Sequence, residues 1–161
     1  MLICDSRERW TQPGRKPDTH ISAYLERHKI PYTVRKLDVG DYMLEGGLVS
    51  VDRKQGLEEV SRNLLNPADK KRFWNEVRLA HSMNLRLVVL VEDSKHKSPE
   101  EIRGWKSAYS PATGAAVLRQ MERLRLSYGV EFVFCPRRSV ARRIMEILES
   151  EVKNASTPII G

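Results

Sequence analysis

Long apolar runs are missing from this 161-residue chain: no stretch approaches the ~20 residues of a membrane span, and the N-terminus lacks the apolar core of a signal peptide. The expectation is a soluble protein of the cytoplasm, or of the nucleus in a eukaryotic cell, with no membrane partner. Cysteine is scarce as well. Cys4 and Cys135 are the only two, each at the end of an apolar run, and no CxxC or HxxxH spacing joins them to the four histidines. That pattern predicts two buried thiols and argues against a structural zinc site. Internal repeats and low-complexity segments are also lacking. With 40% hydrophobic residues the chain can build one ordinary domain with a real core, and a second would be cramped.

What is plentiful is positive charge. Lys and Arg total 28 against 21 acids, a formal charge of +7. Such a balance suits a polyanion partner, nucleic acid above all, although charge of this size shifts the odds without deciding them.

Strand and helix patterns interleave along the chain. Met1 to Cys4 reads as a short strand that runs into Asp5-Ser6-Arg7-Glu8. Asp18 or Thr19 can cap a helix carrying Ile21, Tyr24 and Leu25, which ends before Pro31. Tyr32 to Leu37 alternates like a strand. A short helix spans Gly56 to Leu65, and a second runs from Pro67 to about Met83. The run LRLVVLV from Leu85 to Val91 predicts a strand covered on both sides. A polar stretch follows, with Pro99 suited to opening a short helix. The spacing then predicts a helix over 111–128, closed by Gly129, a last strand over 130–134 and a last helix over 137–152. This order implies an α/β domain over 1–153, a central mixed β-sheet flanked by helices on both faces, with a flexible C-terminal tail over 154–161.

The segment between Asp41 and Lys54 carries the chemistry. If Gly46-Gly47 forms a two-residue turn, residue 43 faces 50 and residue 41 faces 52, so Asp41 and Asp52 become direct neighbours. Alternation places Asp52 and Lys54 on one face, with Val49, Val51, Tyr42 and Leu44 on the other. Two carboxylates about 5 Å apart repel by on the order of 3 kcal/mol at an effective dielectric near 20. A favourable cross-strand pair contributes only about 0.2–1 kcal/mol. A divalent cation, a proton held at neutral pH or a different register would each resolve the conflict.

Asp5-Ser6-Arg7-Glu8 after the first strand, Gly40-Asp41-Tyr42, and Val51-Asp52-Arg53-Lys54 with Glu58 four residues past the lysine together resemble the nuclease domain of XPF-type structure-specific endonucleases. That domain belongs to the restriction-endonuclease-like superfamily, whose mark is an acid, a spacer and then acid-x-Lys. The likeness covers most of the chain. Asp52 stands where the family usually has Glu, and Glu58 where it usually has Asp; both keep the charge. The helix-hairpin-helix module of many relatives does not occur in these 161 residues, which leaves junction preference open.

The resemblance implies a restriction-endonuclease-like fold and a Mg²⁺- or Mn²⁺-dependent endonuclease of repair or recombination. Its substrate would be branched, flap, junction or duplex DNA, and no small-molecule cofactor is expected. Asp41 and Asp52 are the candidate metal ligands, with Glu58 auxiliary. Lys54 would orient or help deprotonate the attacking water and offset developing charge. Asp5 and Glu8 are further candidate catalytic acids, and Arg7, Arg53 and Arg72 are candidate phosphate grips. Arg72 and Glu76, spaced i, i+4, can also be read as a surface ion pair. Relatives pair through late helices, so the resemblance implies a homodimer over the apolar surface from Val117 to Leu148. Two other readings remain open: a catalytically inactive DNA-binding or scaffold subunit, and a nuclease of the same fold acting on RNA.

Overall fold

The computed structural model describes residues 1–14 and 20–155. The cap expected at Asp18 or Thr19 and the tail beyond residue 155 lie outside the described residues. Six strands form one sheet: β1 (Leu2–Asp5), β2 (Tyr32–Arg35), β3 (Tyr42–Leu44), β4 (Val49–Lys54), β5 (Arg86–Glu92) and β6 (Glu131–Cys135), in the order β2-β1-β3-β4-β5-β6. The β1–β3 and β3–β4 pairs are antiparallel, while β1–β2, β4–β5 and β5–β6 are parallel. The sheet is therefore mixed. Chain direction reverses at β3, which brings the C-terminal ends of β1 and β4 together with the start of β3.

Helices cover both faces. On one side α1 (Ile21–Arg27) and α5 (Val140–Ala155) pack Ile21, Leu25, Ile144 and Leu148 against Leu2, Cys4, Tyr42, Val49, Val51, Val88 and Leu90. On the other, α2 (Leu57–Leu65), α3 (Pro67–Ser82) and α4 (Gly114–Tyr128) pack Leu57, Leu64, Phe73, Val77, Val117 and Leu124 against Leu87, Val89 and Val91. The LRLVVLV run is buried because alternate residues feed two different cores, as expected of a strand with helices above and below. Its neighbour β4 is buried at all six positions, Asp52, Arg53 and Lys54 included. By contrast β2 is an edge strand, exposed throughout.

Local signals set the helix ends. Asn66 accepts the amide of Asp69 ahead of Pro67, the first residue of α3, and Thr113 accepts the amide of Ala116 to open α4. The α4 helix thus begins three residues later than its apolar spacing suggests, because Lys106 and Thr113 first form an isolated bridge. Arg137–Ser139 is a 3-10 turn leading into α5 instead of that helix's first turn. The stretch after Pro99 is likewise a 3-10 helix, Pro99–Gly104. Among the described residues no helix is long and apolar enough to cross a membrane.

Candidate active site

The hairpin register holds, but its turn differs. Tyr42 faces Val51 and Met43 faces Ser50, and just beyond the last pair Asp41 lies beside Asp52, its amide bonded to the Val51 carbonyl. The loop is nonetheless four residues long. Gly47 donates its amide to the Leu44 carbonyl at 2.9 Å, which makes Glu45 and Gly46 the turn centre, and Gly46 takes the positive φ of 73°. A four-residue loop preserves the register of a two-residue one because both keep the same cross-strand pairing.

Around Asp41 the backbone is tightly tied. Its amide donates to the Val51 carbonyl and its own carbonyl accepts from Asp5, each at 2.8 Å. Its carboxylate accepts the Arg53 amide, also at 2.8 Å, so the side chain lies along β4 beside Asp52. The residue before it, Gly40, has φ +69°, and a Cβ there would meet the Ser50 Oγ at 2.1 Å and the Val51 carbonyl oxygen at 3.0 Å. No side chain fits at that position.

Burial and charge act together on these acids. Asp41 is held well above the ordinary carboxylate range, first by burial and then by the charges of Asp52 and Glu8, and the Asp41 and Asp52 carboxyls approach closely enough to share a hydrogen bond. Lys54 Nζ lies 3.1 Å from Asp52 Oδ2 and 4.0 Å from Glu59 Oε1, with the Phe73 ring 5.4 Å away. Burial alone would lower the lysine, but Asp52 and Glu59 outweigh it and the ammonium stays charged.

A divalent cation suits this donor set. Asp52 Oδ2 is buried with an ionic contact but no directed hydrogen bond, and its neighbour Asp41 resists ionising beside it. Carboxylate oxygens are the ligands hard cations prefer. Among the described residues no three His, Cys, Asp or Glu side chains converge as a finished cage. Water would complete the shell, as Mg²⁺ sites commonly require.

Sequence reasoning missed two acids here. Glu76 does not pair with Arg72; it accepts the Gly40 amide at 2.8 Å. Burial, then Asp52, raises its pKa. Arg72 bonds Asp69 instead. Glu59 reaches Lys54 and also accepts the Gln55 amide at 2.8 Å. Its neighbour Glu58, expected as an auxiliary ligand, takes the Ser107 hydroxyl at 2.6 Å and the Ala108 amide at 2.9 Å. Both carboxylate oxygens of Glu58 are thus engaged with the loop before α4.

The remaining candidates divide between the two faces of the sheet. Asp5, fully buried, is clasped by Arg7, whose Nε lies 2.9 Å and Nη2 2.5 Å from Oδ2; Nη2 also donates to the Leu37 carbonyl. Arg53 alternates to the other face. There its Nε donates to Glu92 at 2.8 Å and its Nη1 to Glu8 at 3.0 Å, with all three side chains largely buried. Glu8 also accepts the Tyr42 hydroxyl at 2.6 Å, and that hydroxyl accepts from Trp10 Nε1 at 2.8 Å. Arg53 and Glu8 therefore form a buried network behind the aspartates, whereas Arg7 stays 60% exposed at the front.

In front of the acids lies a cleft of about 640 Å³ between α2, α3 and the β1 end, lined among others by Arg7, Glu59, Arg62, Arg72, Phe73 and Glu76. Its mixed charge, with three arginines at hand, can receive a phosphate chain, and its wall residues Glu59 and Phe73 touch Lys54 while Glu76 holds the Gly40 amide. The apolar residues of the expected dimer surface are largely spent elsewhere: Val117, Met121, Leu124, Val140, Ile144, Ile147 and Leu148 are buried in the chain's own two cores. Leu126, 74% exposed, is an exception on α4.

The family model of the ERCC4 domain matches residues 4–145. Among solved structures the chain is similar to XPF from Aeropyrum pernix in complex with DNA, at 18% identity and a TM-score of 0.65 over 98% of this chain and 68% of that one. It is also similar to XPF from Aeropyrum pernix determined as such, at 20% identity and a TM-score of 0.64 over 100% of this chain and 75% of that one. No curated protein matches. The architecture is accordingly the restriction-endonuclease-like α/β fold.

Proposed function

Because the chain belongs to the ERCC4 domain family of XPF-type nuclease domains, we propose that it is a metal-dependent DNA endonuclease acting on branched, flap or junction DNA in repair or recombination. The observation that carries this reading is the Asp41–Asp52 pair, buried together with an oxygen left without a directed hydrogen bond and a charged lysine 3.1 Å from it.

Asp41 and Asp52 would hold Mg²⁺ or Mn²⁺, which when bound offsets charge on the phosphoryl oxygens and acidifies water. Lys54, kept protonated by Asp52 and Glu59 against its burial, acts as a fixed positive charge that orients water and stabilises the developing phosphorane charge more than it acts as a base. Glu76 holds the Gly40 amide and so sets the backbone from which Asp41 projects. Arg7 fixes Asp5 while its exposed edge faces the cleft, where Arg62 and Arg72 also stand ready for phosphate. Arg53 and Glu8 support the pair from behind, and Glu58 anchors the 107–108 loop. Action on DNA requires a DNA-bearing compartment, prokaryotic cytoplasm or nucleus. Pairing of two copies would use the β6 edge of the sheet and the Leu126 side of α4.

Purified protein is incubated with branched DNA, linear duplex and RNA, with and without Mg²⁺ or Mn²⁺. Metal-dependent cutting of the branched DNA is expected, with cutting lost and binding retained in Asp52→Asn and Lys54→Ala. Cutting that persists in both variants, or that is confined to RNA, overturns the reading.

A further inference from the structure

Across α3 from the acid cleft lies a second groove, of about 460 Å³, lined by Pro67, Lys70, Lys71, Trp74, Arg78 and Arg123. Its composition sets it apart. Four cations and no acid line it, whereas the acid cleft mixes both signs. Among the described residues Arg78 hydrogen-bonds only the neutral side chain of Asn75, at 3.3 Å.

Trp74 organises two of these charges. The Arg78 and Arg123 guanidinium carbons lie 5.6 and 5.8 Å from its ring centre, so one indole gathers a cation from α3 and another from α4. Tyr128 packs edge-on to the same ring at 5.9 Å. The indole Nε1 is buried with no hydrogen-bond partner among the described residues. The ring is thus held for its faces and not for its N–H group. Lys70 and Lys71 add charge near the start of α3, on the side of the helix dipole that disfavours cations. Like charges gathered this way are costly unless an anion occupies the groove.

Helix phase relates the groove to the cleft. Arg72 and Glu76 line the cleft from one side of α3, while Lys70, Trp74 and Arg78 line the groove from the other. A helix with its side chains is only about 10–12 Å thick, and a DNA duplex presents a charge about every 1.7 Å of its axis.

We propose that this groove grips the phosphodiester backbone of a nucleic-acid arm outside the acid cleft, so that α3 is straddled by one substrate. The nuclease reading supplies the identity of the polyanion; the binding itself stands on the groove.

The test uses the full chain with labelled branched DNA in EDTA, titrated over a salt series, in wild type, in Arg78→Ala/Arg123→Ala and in Lys70→Ala/Lys71→Ala. Thermal melts establish that both variants fold. Each double variant is expected to lose about tenfold or more in affinity and to flatten the log–log salt slope by about one for each phosphate contact removed. Arg78→Lys/Arg123→Lys should recover much of the slope. Wild-type affinity and slope in both alanine variants would overturn the groove. Cutting, measured separately with metal, keeps the two ideas apart: loss of binding in the variants of a protein that never cuts supports the groove and overturns the nuclease reading. Cutting by a protein whose variants bind normally does the reverse, and a wild type that binds no DNA overturns both.

Discussion

Glu76 accepts the amide of Gly40 at 2.8 Å, so a carboxylate on a helix is bonded to the backbone that delivers Asp41. Glu76→Ala leaves that buried amide without its acceptor, a loss of about 1–3 kcal/mol. Misplacing Asp41 should slow cutting by up to about 10²-fold. Glu76→Gln retains an acceptor and should restore most of the stability, as read from urea unfolding. Equal loss of stability in both variants would mean that the charge, and not the bond, is what the site needs.

Arg53 gives a contrasting case. Its side chain is 5% exposed and joins Glu8 and Glu92. Arg53→Met strands two buried carboxylates, so stability should fall by about 3–5 kcal/mol. A folded, stable Arg53→Met protein with weakened DNA binding would instead assign the arginine to phosphate.

Asp41 predicts how stability follows pH. Its folded-state pKa lies well above the ordinary 3.8, through burial first and then Asp52 and Glu8. In the unfolded chain the proton leaves near the ordinary value, while the folded protein keeps it. The contribution is therefore complete below that value and is lost as pH rises through the raised one. In EDTA, melting temperature should drop across this window, and Asp41→Asn should flatten the drop. Mg²⁺ or Mn²⁺ should raise the melting temperature of wild type above the window, by about 2.7 kcal/mol of stability at a hundredfold excess over Kd. No such rise is expected in Asp41→Asn/Asp52→Asn.

Both thiols should be inert. Burial, aided by Glu8, pushes Cys4 up to about 12, and burial, aided by Glu92, pushes Cys135 up to about 11. Neither forms thiolate near neutral pH. A thiol reagent should titrate none in the native protein and two in guanidinium, and one fast native equivalent would contradict this.

The elements of this fold are written in local pattern, and so they could be read. Alternation in β4, the doubly buried β5 and the apolar spacing of α3 depend on neighbours within a few residues. The face assignments of Asp52 and Lys54 followed from the same rule. It also turns Arg53 to the opposite face, a consequence that the phosphate-grip reading overlooked. The partners of the site's polar side chains were not legible. Glu76 reaches Gly40 across 36 positions, Arg53 reaches Glu8 across 45 and Glu58 reaches Ser107 across 49. An i, i+4 rule offered Glu76 a partner in Arg72, and the fold supplied a backbone amide instead. Glu59 carried a weak signal: one residue past Glu58 in the first turn of α2, it is the acid that faces back along β4 toward Lys54.

Gly40 separates shape from activity. Its left-handed backbone and the Ser50 and Val51 atoms pressed against it exclude a side chain for reasons of shape alone. A chain of this fold without the acids and Lys54 could pair β3 with β4, yet would still need the glycine where the backbone before β3 presses on Ser50 and Val51. The glycine thus reports the fold, and only the acids and the lysine beside it bear on the proposed catalysis.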